Sequence, residues 1–289
     1  METVADIDAI IVAYNSGAEL QVAVTLLLSS PRLASLSVVD NASVDGCTEF
    51  LLRRDDPRVR LLRQTDNLGF GAAINLAAAA LPTPAPWLLL VNPDLELPPA
   101  QLDALRTWAG SEADLGAASA QLVFADGRPE PAALRRDPTP ARVFRQLTGL
   151  ARLFAGRSWA EGITIAPQPG RQTVEACSGA LMLLPRAAFD QVGGFDPGYF
   201  LHCEDLDLCR RLRQAGLRIV VDADLMVLHH KGTSSGNRLA VLRHKQAGML
   251  RYFRSHDAAA LPVWRRWLVE RCATILFAAQ RAVSRIWRG

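Results

Sequence analysis

The stretch IDAIIVAYNSGAELQVAVTLLLSSPRLASLSVVDNAS, residues 7–43, decides the fold. Residues 7–13 form a short apolar run rich in Ile and Val, and read as a buried strand. From residue 17 to 30 the spacing turns helical, with Leu20, Val24 and Leu27 on one face. Residues 36–39 read as a second strand. Strand, helix and strand joined by short loops predict a right-handed βαβ unit and a parallel sheet. The alternation continues outward. A helix is expected over 45–54, a strand over 59–62, an Ala-rich helix over 71–81 and a strand over 87–91. In such sheets ligands sit at the carboxyl ends of the strands. Polar residues gather at those ends: Tyr14-Asn15, Asp40-Asn41, Asn67 and Asn92-Pro93-Asp94.

Beyond residue 110 the alternation loosens. Strands are expected at 117–124 and 174–184, with Asp126-Gly127 as a turn. Residues 128–172 read as an irregular Pro- and Arg-rich insertion with a short helix near 141–154. A helix over 204–215 is closed by Gly216, and a strand follows at 217–221. From 239 the pattern is helical to the end, interrupted at Pro262. The expected architecture is an α/β, Rossmann-like, mostly parallel sheet flanked by helices over 1–237, with a helical extension at 238–289.

The chain has 289 residues, 49% hydrophobic and 21% charged, which excludes collagens, disordered tails and disulfide miniproteins. Its net charge of +3 hides an asymmetry. Residues 1–237 carry 21 Lys and Arg against 27 Asp and Glu, a net −6, whereas residues 238–289 carry 11 against 2, a net +9. A basic tail on an acidic body points to a polyanionic partner. The five cysteines contain no CxxC pair, so reduced thiols are expected. The acidic start Met-Glu-Thr-Val-Ala-Asp is unlike a signal peptide, and no apolar run reaches the roughly 18–20 residues of a membrane span. A cytoplasmic protein that does not cross a bilayer is expected.

Several segments carry chemistry. Asp94 in Asn92-Pro93-Asp94 follows a buried strand, where a carboxylate can hold a hard divalent cation; the tripeptide is also a good turn. Asp40 at a strand tip can accept hydrogen bonds from a base or ribose, while Ser43 and Asp45 fit a helix start. Asn67-Leu68-Gly69-Phe70-Gly71 is a glycine-bearing loop entering a helix, open to a phosphate or sugar or to a plain turn. In His202-Cys203-Glu204-Asp205-Leu206-Asp207 three carboxylates open a helix, where acids are favoured by the dipole, yet adjacent carboxylates also push one pKa toward that of a useful base. Upstream, Gly194, Phe195 and Phe200 belong to a loop whose glycines admit a ligand and whose aromatic faces suit a sugar ring. His229-His230 beside Gly-Thr-Ser-Ser reads as a metal or phosphate contact, or as ordinary structural histidines.

These segments, in this order, resemble glycosyltransferase family 2. The motifs are IIVAYNSG (10–17), VVDNASVDG (38–46), DNLGFGAAIN (66–75), LLLVNPD (88–94), CSGALMLLPR (177–186), VGGFDPGYFLHCEDLDLCRRL (192–212) and HHKGTSS (229–235). The Asn-Pro-Asp form looks most like the rhamnosyltransferase-type branch of bacterial surface polysaccharide synthesis. The resemblance implies a GT-A fold over 1–237, with a nucleotide-binding half at about 1–110 and an acceptor half at about 111–237. It also implies a dTDP- or UDP-sugar donor, dTDP-L-rhamnose in that branch, a lipid-linked or saccharide acceptor, Mg²⁺ or Mn²⁺, and inversion at the anomeric carbon. By the same resemblance Asp205 is the general base and Glu204 positions the acceptor. Asp94 and His229, ahead of His230, hold the metal. Tyr14, Asn15, Asp40, Asn41, Asn67, Gly69, Phe70, Asn75, Asn92, Asp94 and Gly179 line the nucleotide-sugar site, with Asp40 on the base. Gly194, Phe195 and Phe200 face the acceptor. Many members carry Asp where this chain has Asn92, which removes one acid from the metal environment.

The tail mixes Trp264, Trp267, Ile275, Phe277 and Trp287 with arginines. It fits an interfacial helix on the inner membrane surface, or a helix packed on the body or on a second subunit of a homodimer. Nucleic-acid binding rests on the tail alone, since the body is acidic, and is not expected. A nucleotidyltransferase is disfavoured because the loop after the first strand, Tyr14-Asn15-Ser16-Gly17, has neither repeated glycines nor a base.

Overall fold

The computed structural model describes residues 4–148, 150–154, 157, 162–230, 238–258 and 261–286. Its first half runs β1 (Ile7–Ala13), α1 (Glu19–Leu28), β2 (Leu33–Asp40), β3 (Val59–Arg63), α2 (Phe70–Ala79), β4 (Trp87–Val91), β5 (Leu95–Glu96) and α3 (Pro99–Ala109). The second half runs β6 (Leu115–Val123), β7 (Leu134–Arg135), α4 (Pro140–Thr148), α5 (Leu150–Leu153), β8 (Arg171–Val174), β9 (Ala176–Cys177), β10 (Leu181–Pro185), α6 (Arg186–Gln191), α7 (Glu204–Gln214), β11 (Arg218–His229), α8 (Arg238–His256) and α9 (Val263–Ile286). A nine-stranded sheet has the order β3-β2-β1-β4-β10-β6-β11-β5, with β8 also on β11. β7 and β9 form a separate small ribbon.

The strand–helix alternation of the first half yields the parallel side of the sheet. β1 pairs in parallel with β2, Ile11 beside Val38, and with β4, Ile10 beside Leu90. These strands are apolar along their length because helices cover both faces of the sheet. β10 then runs antiparallel between β4 and β6, and β11 returns parallel to β6. The expected mostly parallel α/β sheet is present, with one antiparallel strand at its centre.

Three expected elements change. The helix expected at 45–54 is a 3-10 turn, Glu49–Arg53. Asp45 does not cap a helix there; its carboxylate accepts from Cys47 N at 3.1 Å and from Gly17 N at 3.1 Å, tying two loops together. The strand expected at 174–184 breaks into the end of β8, β9 and β10, because the Ser178-Gly179 turn interrupts it. The strand expected at 217–221 runs on to His229, since it gains β5 as a second partner there. β5, α3 and α6 lie outside the expected alternation.

The two tail helices behave differently. α8 packs on the body: Tyr252 is 0% exposed, and Arg210 donates to its hydroxyl at 3.3 Å while lying over its ring. Gly248 sits so close to the His202 carbonyl that a Cβ would lie 2.4 Å from it. α9 lies along α8, with Arg254 bonded to Glu270 at 2.8 Å, and leaves Trp264 61% and Trp267 59% exposed. No helix among the described residues is long and apolar enough to cross a membrane. Trp287 and the segment 231–237, with its Gly-Thr-Ser-Ser, lie outside the described residues, as does the side chain of Phe277.

Because Tyr252 is wholly buried, Tyr252→Ala empties an aromatic site in the body's core. We expect it to cost about 3–5 kcal/mol of stability, measured by urea unfolding of the whole protein. A loss under about 1 kcal/mol would make α8 an appendage.

Candidate active site

Two clusters of titratable side chains meet at the carboxyl edge of the parallel strands. The first forms where β5 pairs with the end of β11, Leu95 beside His229. That pairing brings the Asn92-Pro93-Asp94 turn against the histidine, and Asp94 Oδ1 lies 3.2 Å from His229 Nε2. The other ring nitrogen, Nδ1, is 2.6 Å from Oε2 of the buried Glu130. Burial opposes a charge on this ring. The hydrogen bonds and negative charge of Asp94 and Glu130 outweigh it and raise the imidazole to about 9. Successive side chains on a strand point to opposite faces, so His230 leaves this cluster and meets Glu96 Oε1 at 2.6 Å.

The Asp94–His229 pair fits a hard divalent cation. Neighbouring donors on an octahedral ion with bonds of ~2.1 Å lie about 3 Å apart, the spacing found between these two atoms. Such an ion would take the place of the Nε2 proton, while Nδ1–H to Glu130 would fix the ring. Among the described residues no group of three or more His, Cys, Asp or Glu side chains gathers as an all-protein metal cage. Substrate phosphates and water would complete the shell, as is usual for Mg²⁺.

The second cluster sits at the start of α7. His202 and Cys203 both adopt left-handed backbone, φ 71° and 73°, a strained pair for non-glycine residues that turns the chain sharply into the helix. Asp205 Oδ1 accepts from Leu206 N at 2.8 Å, and Oδ2 accepts from Gly179 N at 3.0 Å. Oδ2 also accepts from Arg135, which donates to the Cys177 carbonyl at 2.6 Å as well. Burial pushes the Asp205 carboxyl up, but the Arg135 charge and these hydrogen bonds outweigh it and hold it below the usual carboxylate range. Glu204 behaves oppositely. Its burial, reinforced by the charge of Asp205, raises it to about 8. Its Oε2 is buried without a hydrogen-bond partner in the described structure.

The Ser178-Gly179-Ala180 turn joins the clusters. Ala180 O accepts from Asn92 N at 2.8 Å, while Gly179 N holds Asp205. A Cβ on Gly179 would lie 3.2 Å from the Asp205 Cβ and 3.3 Å from the Phe70 ring, so the glycine admits that approach.

The remaining candidates fall into two groups. Asp40 lies in the wall of a cleft of about 320 Å³, where its carboxylate accepts from Ser43 N at 2.9 Å and Thr48 Oγ1 at 2.6 Å. Tyr14, which follows β1, is exposed, and Asn15 is held at the mouth of β1 by Val44 N, which donates to its side chain at 2.9 Å. Asn41, Asn67 and Gly69 form one hydrogen-bonded knot, with Asn41 Nδ2 donating to Asn67 Oδ1 at 2.8 Å. Gly69 has φ 82°, and a Cβ there would lie 2.3 Å from the Phe200 carbonyl; the glycine serves a contact between two loops of the chain itself. Asn75 clamps the Gly194-Phe195 loop, donating to Phe195 O at 2.7 Å and accepting from Phe195 N at 2.9 Å. Phe195 is 1% exposed and packs edge-on against Phe70 and Phe189. Phe200, 39% exposed and stacked on His244, is the aromatic of that loop with a face near solvent. Glu130 and Arg135, which hold His229 and Asp205, escape a sequence reading because they lie 99 and 70 positions from their partners in a stretch without periodicity.

The chain is similar to known proteins over most of its length. A model of the glycosyl transferase family 2 matches residues 8–192. The N-acetylglucosaminyl-diphospho-decaprenol L-rhamnosyltransferase of Mycobacterium tuberculosis is 34% identical over 236 residues, 78% of this chain and 76% of that protein. Rhamnosyltransferase WbbL of Escherichia coli K12 is 52% identical over 46 residues, 16% of this chain and 17% of that one. Among solved structures, a mannosyltransferase of Pyrobaculum calidifontis in complex with GDP-Man and Mn²⁺ superposes with a TM-score of 0.59. It covers 96% of this chain and 75% of its own at 16% identity, a likeness of fold. The chain belongs to glycosyl transferase family 2, in its rhamnosyltransferase-like branch, and is a glycosyltransferase of GT-A fold.

Proposed function

We propose that the protein transfers L-rhamnose, with inversion, from dTDP-L-rhamnose to a hydroxyl of a lipid-linked saccharide in surface polysaccharide synthesis. The observation that carries the reading is the meeting of the Asp94–His229 pair with Glu204-Asp205 across one turn. The activity of the mycobacterial relative supports the sugar and the lipid-linked acceptor. Asp40, in its cleft at the end of β2, is suited to the nucleoside end of the donor.

Asp94 and His229 would hold Mg²⁺ or Mn²⁺, whose charge would offset the negative charge developing on a diphosphate leaving group. Asp205 takes the proton of the acceptor hydroxyl as its oxygen bonds to the anomeric carbon from the face opposite the leaving group. The bond from that carbon to the phosphate oxygen breaks, and the nucleoside diphosphate leaves with the electron pair. Glu204, protonated near neutral pH, donates a hydrogen bond that orients the acceptor.

The tail supplies the site's access to lipid. Arg265 lies 5.0 Å over the exposed Trp264 ring and Arg271 5.4 Å over Trp267, a pairing of cation and aromatic suited to an anionic headgroup layer at the inner face of the membrane.

Three outcomes follow from these roles. Asp205→Asn lowers transfer by about 10²–10⁴-fold while donor binding, followed by calorimetry, stays within twofold; near-wild-type transfer would sink the assignment. Asp94→Ala, or EDTA, abolishes transfer that added Mg²⁺ or Mn²⁺ restores to the wild type, and full turnover in EDTA would contradict a metal role. Trp264→Ser with Trp267→Ser reduces co-sedimentation with anionic liposomes several-fold, and equal pelleting of variant and wild type would remove α9 from membrane binding.

A further inference from the structure

We infer that Arg135 is a positioning residue for proton transfer: it occupies one side of the Asp205 carboxylate and leaves a single open acceptor site, on Oδ1, for the hydroxyl that loses its proton. The inference rests on the reading of Asp205 as the base. An ionised carboxylate offers about four lone-pair sites. At Asp205 three are filled, two on Oδ2 by Arg135 and Gly179 N and one on Oδ1 by Leu206 N. The fourth, on Oδ1, is the one from which a proton can be accepted.

The arginine is built into this place. It ends β7, whose two residues pair with β9, Leu134 beside Cys177 and Arg135 beside Ala176. Leu134 is buried in the core and anchors the ribbon. One guanidinium nitrogen, Nη2, bridges Cys177 O and Asp205 Oδ2, so the arginine is held by backbone and carboxylate together. A guanidinium anchored to the backbone in this way sets the direction of the carboxylate, which a flexible ammonium does less well.

The pair also divides labour between adjacent acids. Arg135 from β7, Cys177 from β9, and Cys203, Glu204 and Cys209 from the start and body of α7 surround Asp205; Lys245 of α8 acts on Cys203. Among the described residues Arg135 is ion-paired with Asp205, and Glu204 forms no ion pair. Between two buried neighbours the proton therefore goes to Glu204, and Asp205 stays ionised. Without the guanidinium, burial and the neighbouring Glu204 both raise Asp205, so its proton-accepting form is lost at a higher pH.

The test compares Arg135→Met and Arg135→Lys with wild type, recording kcat and kcat/KM for transfer from pH 5 to 9 and donor affinity by calorimetry. In Arg135→Met we expect kcat to fall at least tenfold at pH 7, donor affinity to stay within twofold, and the acid limb of the profile to move up by about 1–3 pH units. Arg135→Lys keeps the charge and lands between them, so it remains informative if the Met variant folds poorly. An acid limb that stays in place in the folded variants, whatever happens to kcat, overturns the inference and leaves Arg135 a structural tie between β7 and β9. Asp205→Asn, run alongside, separates the two failures: substantial transfer by that variant removes the base reading itself, while its inactivity with an unmoved Arg135 profile removes the positioning role alone.

Discussion

The antiparallel pairing of β10 with β4, from Leu181 against Val91 to Pro185 against Trp87, is the seam on which the site depends. β4 ends three residues before Asp94, and β10 begins two residues after Gly179, whose N–H holds Asp205. Because the strands run in opposite directions, the end of one lies beside the start of the other. The Asn92 N–H reaches the Ala180 carbonyl at 2.8 Å across that seam. A parallel β10 would have delivered Gly179 to the far edge of the sheet and separated the two clusters. The single antiparallel strand in the middle of the sheet is thus what makes one site from two halves.

Burying acids at such a seam is costly unless each is compensated. The structure uses three different compensations within a few residues. Asp205 has a guanidinium and two N–H donors. Asp94 and Glu130 share one imidazole, whose two ring nitrogens meet one carboxylate each and whose charge the pair favours. Glu204 has no cation and is raised to about 8, so it is held neutral by a proton. The acidic balance of residues 1–237 is therefore not a bare field at the site. The adjacent Asp205 and Glu204 are driven in opposite directions by their surroundings, one below and the other above the usual carboxylate range.

What could be read from the sequence follows from which physical signals are local. Ile7–Ala13 and Trp87–Val91 are found with their full bounds because strands buried on both faces give unbroken apolar runs between polar residues. Asp40, Asp94, Asp205 and His229 stand out because they end or begin elements, where a carboxylate or imidazole has no packing purpose. The 3-10 turn at Glu49–Arg53 is misread as a helix because Ser43 and Asp45 satisfy a helix-start pattern while the Asp45 carboxylate is used across loops. β10 reads as the continuation of β8 because the apolar run hides a turn that only a contact with Asp205 reveals. Arg135 and Glu130 are invisible for the same reason. Their meaning lies in partners 70 and 99 residues away.

The basic tail does not act as one charge. α8 spends part of it inward: Arg251 is bonded to Asp196 at 2.8 Å and lies over Tyr199, while Arg254 pairs with Glu270 of α9 at 2.8 Å. His256 adds a 2.7 Å contact to Asp207. These bonds draw α8 onto the loop and helix that carry Phe200, Glu204 and Asp205, and Gly248 lets the backbone close on His202. Exposed charge lies on both helices, at Arg243 and Lys245 of α8 and at Arg265 and Arg271 of α9, the last two over Trp264 and Trp267. Through these contacts α8 joins α9 to the loop and helix that carry Phe200, Glu204 and Asp205. The +9 of the last 52 residues is therefore divided: part of it ties α8 to the body and to α9, and part stays exposed on the two helices.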